Sequence, residues 1–165
     1  MDRSALSWAV RHRVPHGGWC PRGRKAEDGK IPARFHLRET PSRRYAERTE
    51  WNVRDSDATV IFSLHPVLDG GSALTRRLAR KYRKPFLHLY QAVGANPARQ
   101  LKQFVRKHRV RVLNVAGPRE SQAPSVGRFV RAVLNDWFWA LTPSTPLIPS
   151  NRPTCFSRYP GSWAP

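Results

Sequence analysis

The residues best placed for chemistry are Asp69-Gly70-Gly71-Ser72, between a β-branched apolar run and an amphipathic helical pattern. Two adjacent glycines tolerate positive φ and let a ligand come close to the main chain. A helix opening there offers unpaired N–H groups and partial positive charge, and Ser72 adds a hydroxyl that can cap the helix or bond a phosphate oxygen. The chemistry this suggests is binding of a phosphate or a cofactor. A plain connection, with glycine present only for geometry, is the competing reading. The position after a buried strand and before a helix favours the ligand.

Three other groups are candidates. In the loop Ala116 to Ser121, after Asn114 and through Gly117, Arg119 can hold a carboxylate or phosphate bidentately. Glu120 can accept from a ring N–H or an amine, or the two can form a loop ion pair of little value. In Gly17-Gly18-Trp19-Cys20-Pro21, Trp19 can stack on a planar heterocycle. Cys20 could ligate a soft metal such as molybdenum or copper, but a lone cysteine is usually an inert buried thiol, so no metal ligand is assigned. Asn52 and Asp55, just before the strong strand, can face the ligand; equally, Asp55 and Asp57 can simply end a helix. There is no Ser/His/Asp order, HExxH spacing or P-loop, and the six histidines are scattered. No nucleophile–base pair can be named, and catalytic residues stay unassigned.

Positioning these groups falls to a regular alternation. Thr59–Leu64, Pro85–Tyr90 and Val110–Val115 read as strands, the first buried on both faces. Helices are expected over 72–82, 97–108 and 126–139, where apolar residues recur at helical spacing. Two more are expected at 4–13 and 42–54, the latter with Thr40 or Ser42 as N-cap. Val14 to Pro21 reads as a short extended piece and a loop, and Arg22 to Pro41 as polar and irregular. Strand, helix, strand, helix, strand, helix predicts a mainly parallel sheet in a Rossmann-like, three-layer αβα domain over 1–139. Ligands of open parallel sheets sit at the C-terminal ends of the strands, where the first two loops lie. Residues 140–165 are rich in Pro and Ser and read as a disordered tail.

Composition sets broad limits. A chain of 165 residues can bury a core as one domain. It has no apolar run long enough to span a bilayer and no secretory leader pattern after Met1, so the expectation is a soluble cytoplasmic protein. Cys20 and Cys155 make neither a disulfide framework nor a structural zinc site. The net charge of +19 suggests nucleic acid or another polyanion, yet the basic residues favour no single segment and no RNA-binding aromatic signature interleaves them. Arginines spread over solvated faces explain the charge as well. Homo-oligomerisation is left open.

The same loops resemble a known family. Val14-Pro15-His16-Gly17-Gly18-Trp19-Cys20-Pro21, Leu37-Arg38-Glu39-Thr40 and Arg48 through Asp57 are similar to the putative molybdenum carrier family, the circularly permuted YpsA-like branch of the SLOG superfamily. Gly70 through Thr75 and Leu113 through Ser121 match it as well, in collinear order over most of residues 2–134. The resemblance implies a Rossmann-like fold that holds molybdenum cofactor (molybdopterin) or a nucleotide-like ligand. Gly70, Gly71 and Ser72 would cradle the phosphate, Asn114, Arg119 and Glu120 would read polar edges, and Trp19 or Trp51 would stack. SLOG relatives also include sensors and nucleotide-processing hydrolases, in which case Glu120 or Asp55 would activate water. Family members open with a strand and a glycine-rich turn ahead of Asp-Arg. This sequence begins Met1-Asp2-Arg3, so the first strand is expected to be missing from the sheet.

Overall fold

A computed structural model describes residues 3–139. The expected tail, 140–165, lies outside the described residues. The centre is β5 (Ala58–Ser63), every residue of which is buried. It pairs in parallel with β6 (Phe86–Tyr90) on one side and β7 (Leu113–Ala116) on the other. The joining helices are α3 (Gly70–Lys81) and α4 (Pro97–Lys107), and α5 (Val126–Trp139) follows β7. Alternation along β5 divides the core. Val60 and Phe62 join Leu101, Phe104, Phe129, Val133 and Leu134 on the face covered by α4 and α5. Ile61 packs with Leu68, Ala73 and Phe86 on the α3 face. The three-layer αβα architecture expected from the sequence is therefore present.

Two more helices complete the layers. Helix α1 (Arg3–Arg11) lies on α5, tied by a hydrogen bond of 2.7 Å from Trp8 Nε1 to Asn135 Oδ1 and an edge-on contact of Trp8 with Phe138. Helix α2 (Tyr45–Arg54) packs on α3 through Val53, Leu74 and Leu78. No helix of the described residues is long and apolar enough to cross a membrane.

Several boundaries shift for identifiable reasons. The third strand starts at Leu113 rather than Val110, because Asp57 Oδ2 accepts from the amides of Arg111 and Val112, both at 2.8 Å. Helix α2 starts at Tyr45, not Ser42. Ser42 lies just outside, accepting from Arg44 N at 3.2 Å while its hydroxyl bonds the Glu47 carboxylate. Thr40 does not cap; its hydroxyl donates to backbone carbonyls of Cys20 and Ser42. Helix α3 begins two residues early, so Gly70, Gly71 and Ser72 form its first turn, with Gly70 at φ +43°.

The segment read as irregular has an order of its own. β1 (Trp19–Cys20) pairs in parallel with β4 (Arg38–Glu39), and β2 (Lys25–Ala26) pairs antiparallel with β3 (Gly29–Lys30). The Arg24 guanidinium stands at its middle. It donates to the carbonyls of Ile31, Pro32, Phe35 and Leu37 at 2.7–3.1 Å, four acceptors satisfied by one side chain.

Candidate functional site

The first turn of α3 and the loop after β7 face each other across a cavity of about 250 Å³. From the sheet side it is lined by Asp69, Gly71, Ser72, Thr75, Asn114, Gly117 and Arg119. From the other side α2 presents Tyr45, Arg48, Thr49 and Asn52. These four recur at helical spacing, so one face of α2 is polar and turned to the cavity. A second cavity of about 580 Å³ adjoins, lined among others by Trp19, Cys20, Lys25, Glu27, Leu37, Glu120 and Ser121. Tyr45, Arg48, Asn52 and Arg119 line both.

Two polar atoms here lack the partners that buried groups normally have. Ser72 is 3% exposed, and its hydroxyl makes no hydrogen bond, while the neighbouring Thr75 hydroxyl donates back to Gly71 O at 2.8 Å. Asp69 takes the N-cap position of α3 but its carboxylate caps no amide. Arg48 Nε is also buried without a partner. Burial pulls the Arg48 guanidinium below its ordinary pKa, and the charge of Arg119 acts in the same direction. The site thus joins a helix N-terminus, a free hydroxyl and a poorly solvated cation, an arrangement suited to an anion.

The residues singled out from the sequence fall into three groups. Gly71, Ser72, Asn114, Gly117, Arg119 and Asn52 line the first cavity, and Trp19 and Glu120 line the second. Gly70 and Asp55 line neither. Several already have structural work. A Cβ on Gly117 would stand 2.8 Å from Phe62 O, so this glycine lets the loop lie against β5. Asn114 Nδ2 donates to Thr59 Oγ1 at 3.2 Å. Asn52 bridges both main-chain groups of Trp19: it accepts from the amide at 2.8 Å and donates to the carbonyl at 3.0 Å. Asp55 accepts from Trp19 Nε1 at 2.7 Å and from Arg54. Glu120 caps α5, accepting from the amides of Ser125 and Gly127 at 3.0 and 3.3 Å. The ion pair considered between Arg119 and Glu120 is not among the contacts formed. Arg119 instead lies over the Tyr45 ring, 4.6 Å from its centroid. Trp19 packs edge-on against Trp51, with Arg38 over its ring.

Cys20 is buried at the second cavity, and burial pushes its thiol up, with Arg24 opposing in part. Burial thus favours the protonated thiol, which is a poor nucleophile or ligand. Among the described residues no cluster of three or more His, Cys, Asp or Glu is placed to hold a metal ion. Tyr45 and Arg48, which line both cavities, and Lys25 were not singled out from the sequence. The signal that could have found the first two is the polar i, i+3, i+4, i+7 series on α2, which faces a cavity where an apolar stripe would be usual.

Comparison with known proteins agrees with the fold. No curated protein matches the chain. A crystal structure described as a "putative molybdenum carrier protein" from Syntrophus aciditrophicus SB is similar, with 40% identity and a TM-score of 0.78. The likeness covers 82% of this chain and 86% of that one. The model of the circularly permuted YpsA SLOG family matches residues 1–138, and the chain belongs to that family.

Proposed function

We propose that the protein binds a small phosphorylated ligand at the C-terminal ends of β5 and β7 and carries it without transforming it. The ligand we favour is molybdenum cofactor, a pterin phosphate. The observation that carries this reading is Ser72, a buried hydroxyl with no partner in the first turn of α3, facing a cavity that Arg48 and Arg119 also line. Gly71 and Ser72 would hold the phosphate with main-chain N–H groups and the hydroxyl. Asn114 and Arg119 would read polar edges, and the larger second cavity would take the ring system beside Trp19. The name of the 40% identical relative points to the same cargo. When bound, the cofactor supplies its own metal, held by the organic part, so the protein need offer no metal ligands.

Asp55 and Glu120, the carboxylates considered from the sequence for activating water, are held by Trp19 and by the α5 amides. This favours carriage over nucleotide hydrolysis. The test is to denature and oxidise the purified protein and look for pterin fluorescence, with calorimetry of added molybdopterin beside it. A stoichiometric fluorophore or saturable heat is expected. Neither signal, or turnover of a nucleotide that disappears in Glu120→Gln, would overturn the carrier reading.

A further inference from the structure

The junction of the two cavities carries more positive charge than one phosphate needs. Three cations surround the Tyr45 ring: Lys25 Nζ at 5.3 Å from its centroid, Arg48 Cζ at 6.0 Å and Arg119 Cζ at 4.6 Å. Each is attracted to the ring face, but the three repel one another. None of the three has a carboxylate partner among the described residues. The nearby carboxylates are otherwise engaged: Glu27 with Ser121, Asp28 with Arg3, and Glu120 with α5. Asp69, at the rim of the first cavity, is exposed. Arg48 is the most costly of the three, since its Nε is removed from solvent with no acceptor.

We infer that this junction is a diphosphate site, in which two linked phosphoryl groups lie across the edge of Tyr45. This rests on the proposal that the ligand is phosphorylated. One phosphoryl group would occupy the first cavity, against Ser72, Arg48 and the α3 amides. The other would reach Arg119 and Lys25 at the mouth of the second cavity. A monoester fills only the first position and leaves Lys25 and much of the Arg119 charge unanswered. Two adjacent phosphoryl groups meet all three cations and give Arg48 its missing acceptor. The ligand class is therefore a diphosphate-linked molecule, such as a dinucleotide form of a pterin or a nucleoside diphosphate derivative.

The test is calorimetric titration of the full chain with inorganic pyrophosphate and with orthophosphate at fixed ionic strength. Pyrophosphate is expected to bind at least ten-fold more tightly. Lys25→Ala, at an exposed position, should erase most of that advantage and leave orthophosphate affinity nearly unchanged. Arg48→Gln should weaken both anions about ten-fold or more; Arg48→Lys, which keeps the charge, should recover part of it and guards against a folding defect. Because the chain carries +19, Arg106→Ala on the distant end of α4 serves as the control for non-specific attraction. Equal affinities for the two anions, or equal losses in Lys25→Ala and Arg106→Ala, would overturn the diphosphate site and leave the phosphate reading standing. Binding of neither anion would overturn both.

Discussion

The sheet β6-β5-β7 and the segment from Gly17 to Ser42 both contribute to the site, yet different forces hold them. The sheet is a product of burial. β5 and β7 are hidden along their whole length, and each second residue feeds one of two apolar layers. The segment has little to bury: Cys20, Pro21, Phe35 and Thr40 are its buried residues apart from Gly17. It is held by side chains bonded to main chain, with Arg24 satisfying four carbonyls and Asn52 pinning Trp19 to α2. Apolar burial is shared among many residues, whereas each of these polar fasteners is a single point of failure. One wall of the site is therefore expected to unfold only with the whole domain, and the other to open locally.

Substitutions should separate the two walls. Leu113→Ala, in a fully buried position of β7, should cost about 2–5 kcal/mol by the usual large-to-small penalty, read as a lower urea midpoint with one cooperative transition. Arg24→Ala should cost about 2 kcal/mol through the lost charge-assisted bonds. That loss should appear as faster amide exchange and proteolysis confined to residues 22–40, with the global midpoint moving less. Asn52→Ala should cost about 1 kcal/mol and change the Trp19 fluorescence, since both bonds to that main chain disappear. If Arg24→Ala instead lowers the global midpoint as Leu113→Ala does, the two walls are one cooperative unit and the contrast fails.

The smallest effect concerns pH. His88 on β6 contacts Ser63 Oγ through Nε2 at 2.7 Å, and burial, helped by Arg76, pulls its pKa below the ordinary 6.5. The folded state thus favours the neutral ring. This contribution is fully present above the unfolded value and is lost as pH falls through the folded one. Stability of the native chain should decline more below about pH 6.5 than that of His88→Gln, measured by urea melts across that range. Identical pH profiles would show that His88 adds nothing to the slope.

What could be read in the sequence follows the same division. Thr59–Leu64 and Val126–Trp139 announce a strand and a helix because burial imposes a period, and both elements form within a residue of expectation. The cavity at Ser72 and Gly117 was also legible, because open parallel sheets bind ligands at strand ends. The short β1–β4 and β2–β3 pairs were not, since two-residue strands carry no period and Arg24 reaches across 7–13 positions. The hydrogen bonds that Asn52, Asp55 and Glu120 make within the wall were not legible for a related reason. A polar residue near a site looks the same in sequence whether it bonds a ligand or holds the wall. The place of Arg48 and Tyr45 at the cavities depends on α2 turning a polar face to the sheet ends, a direction that no local pattern of the sequence encodes.

The central claim is that a phosphorylated ligand sits on the first turn of α3 facing α2. The most direct measurement is a ¹⁵N-labelled spectrum of the protein recorded while a phosphorylated pterin is added. The account predicts saturable shifts concentrated at the amides of Gly71 and Ser72, with Arg48, Arg119 and Asn114 following. Shifts scattered over the arginines of α3 and α4 without saturation, and quiet amides at Gly71 and Ser72, would contradict it.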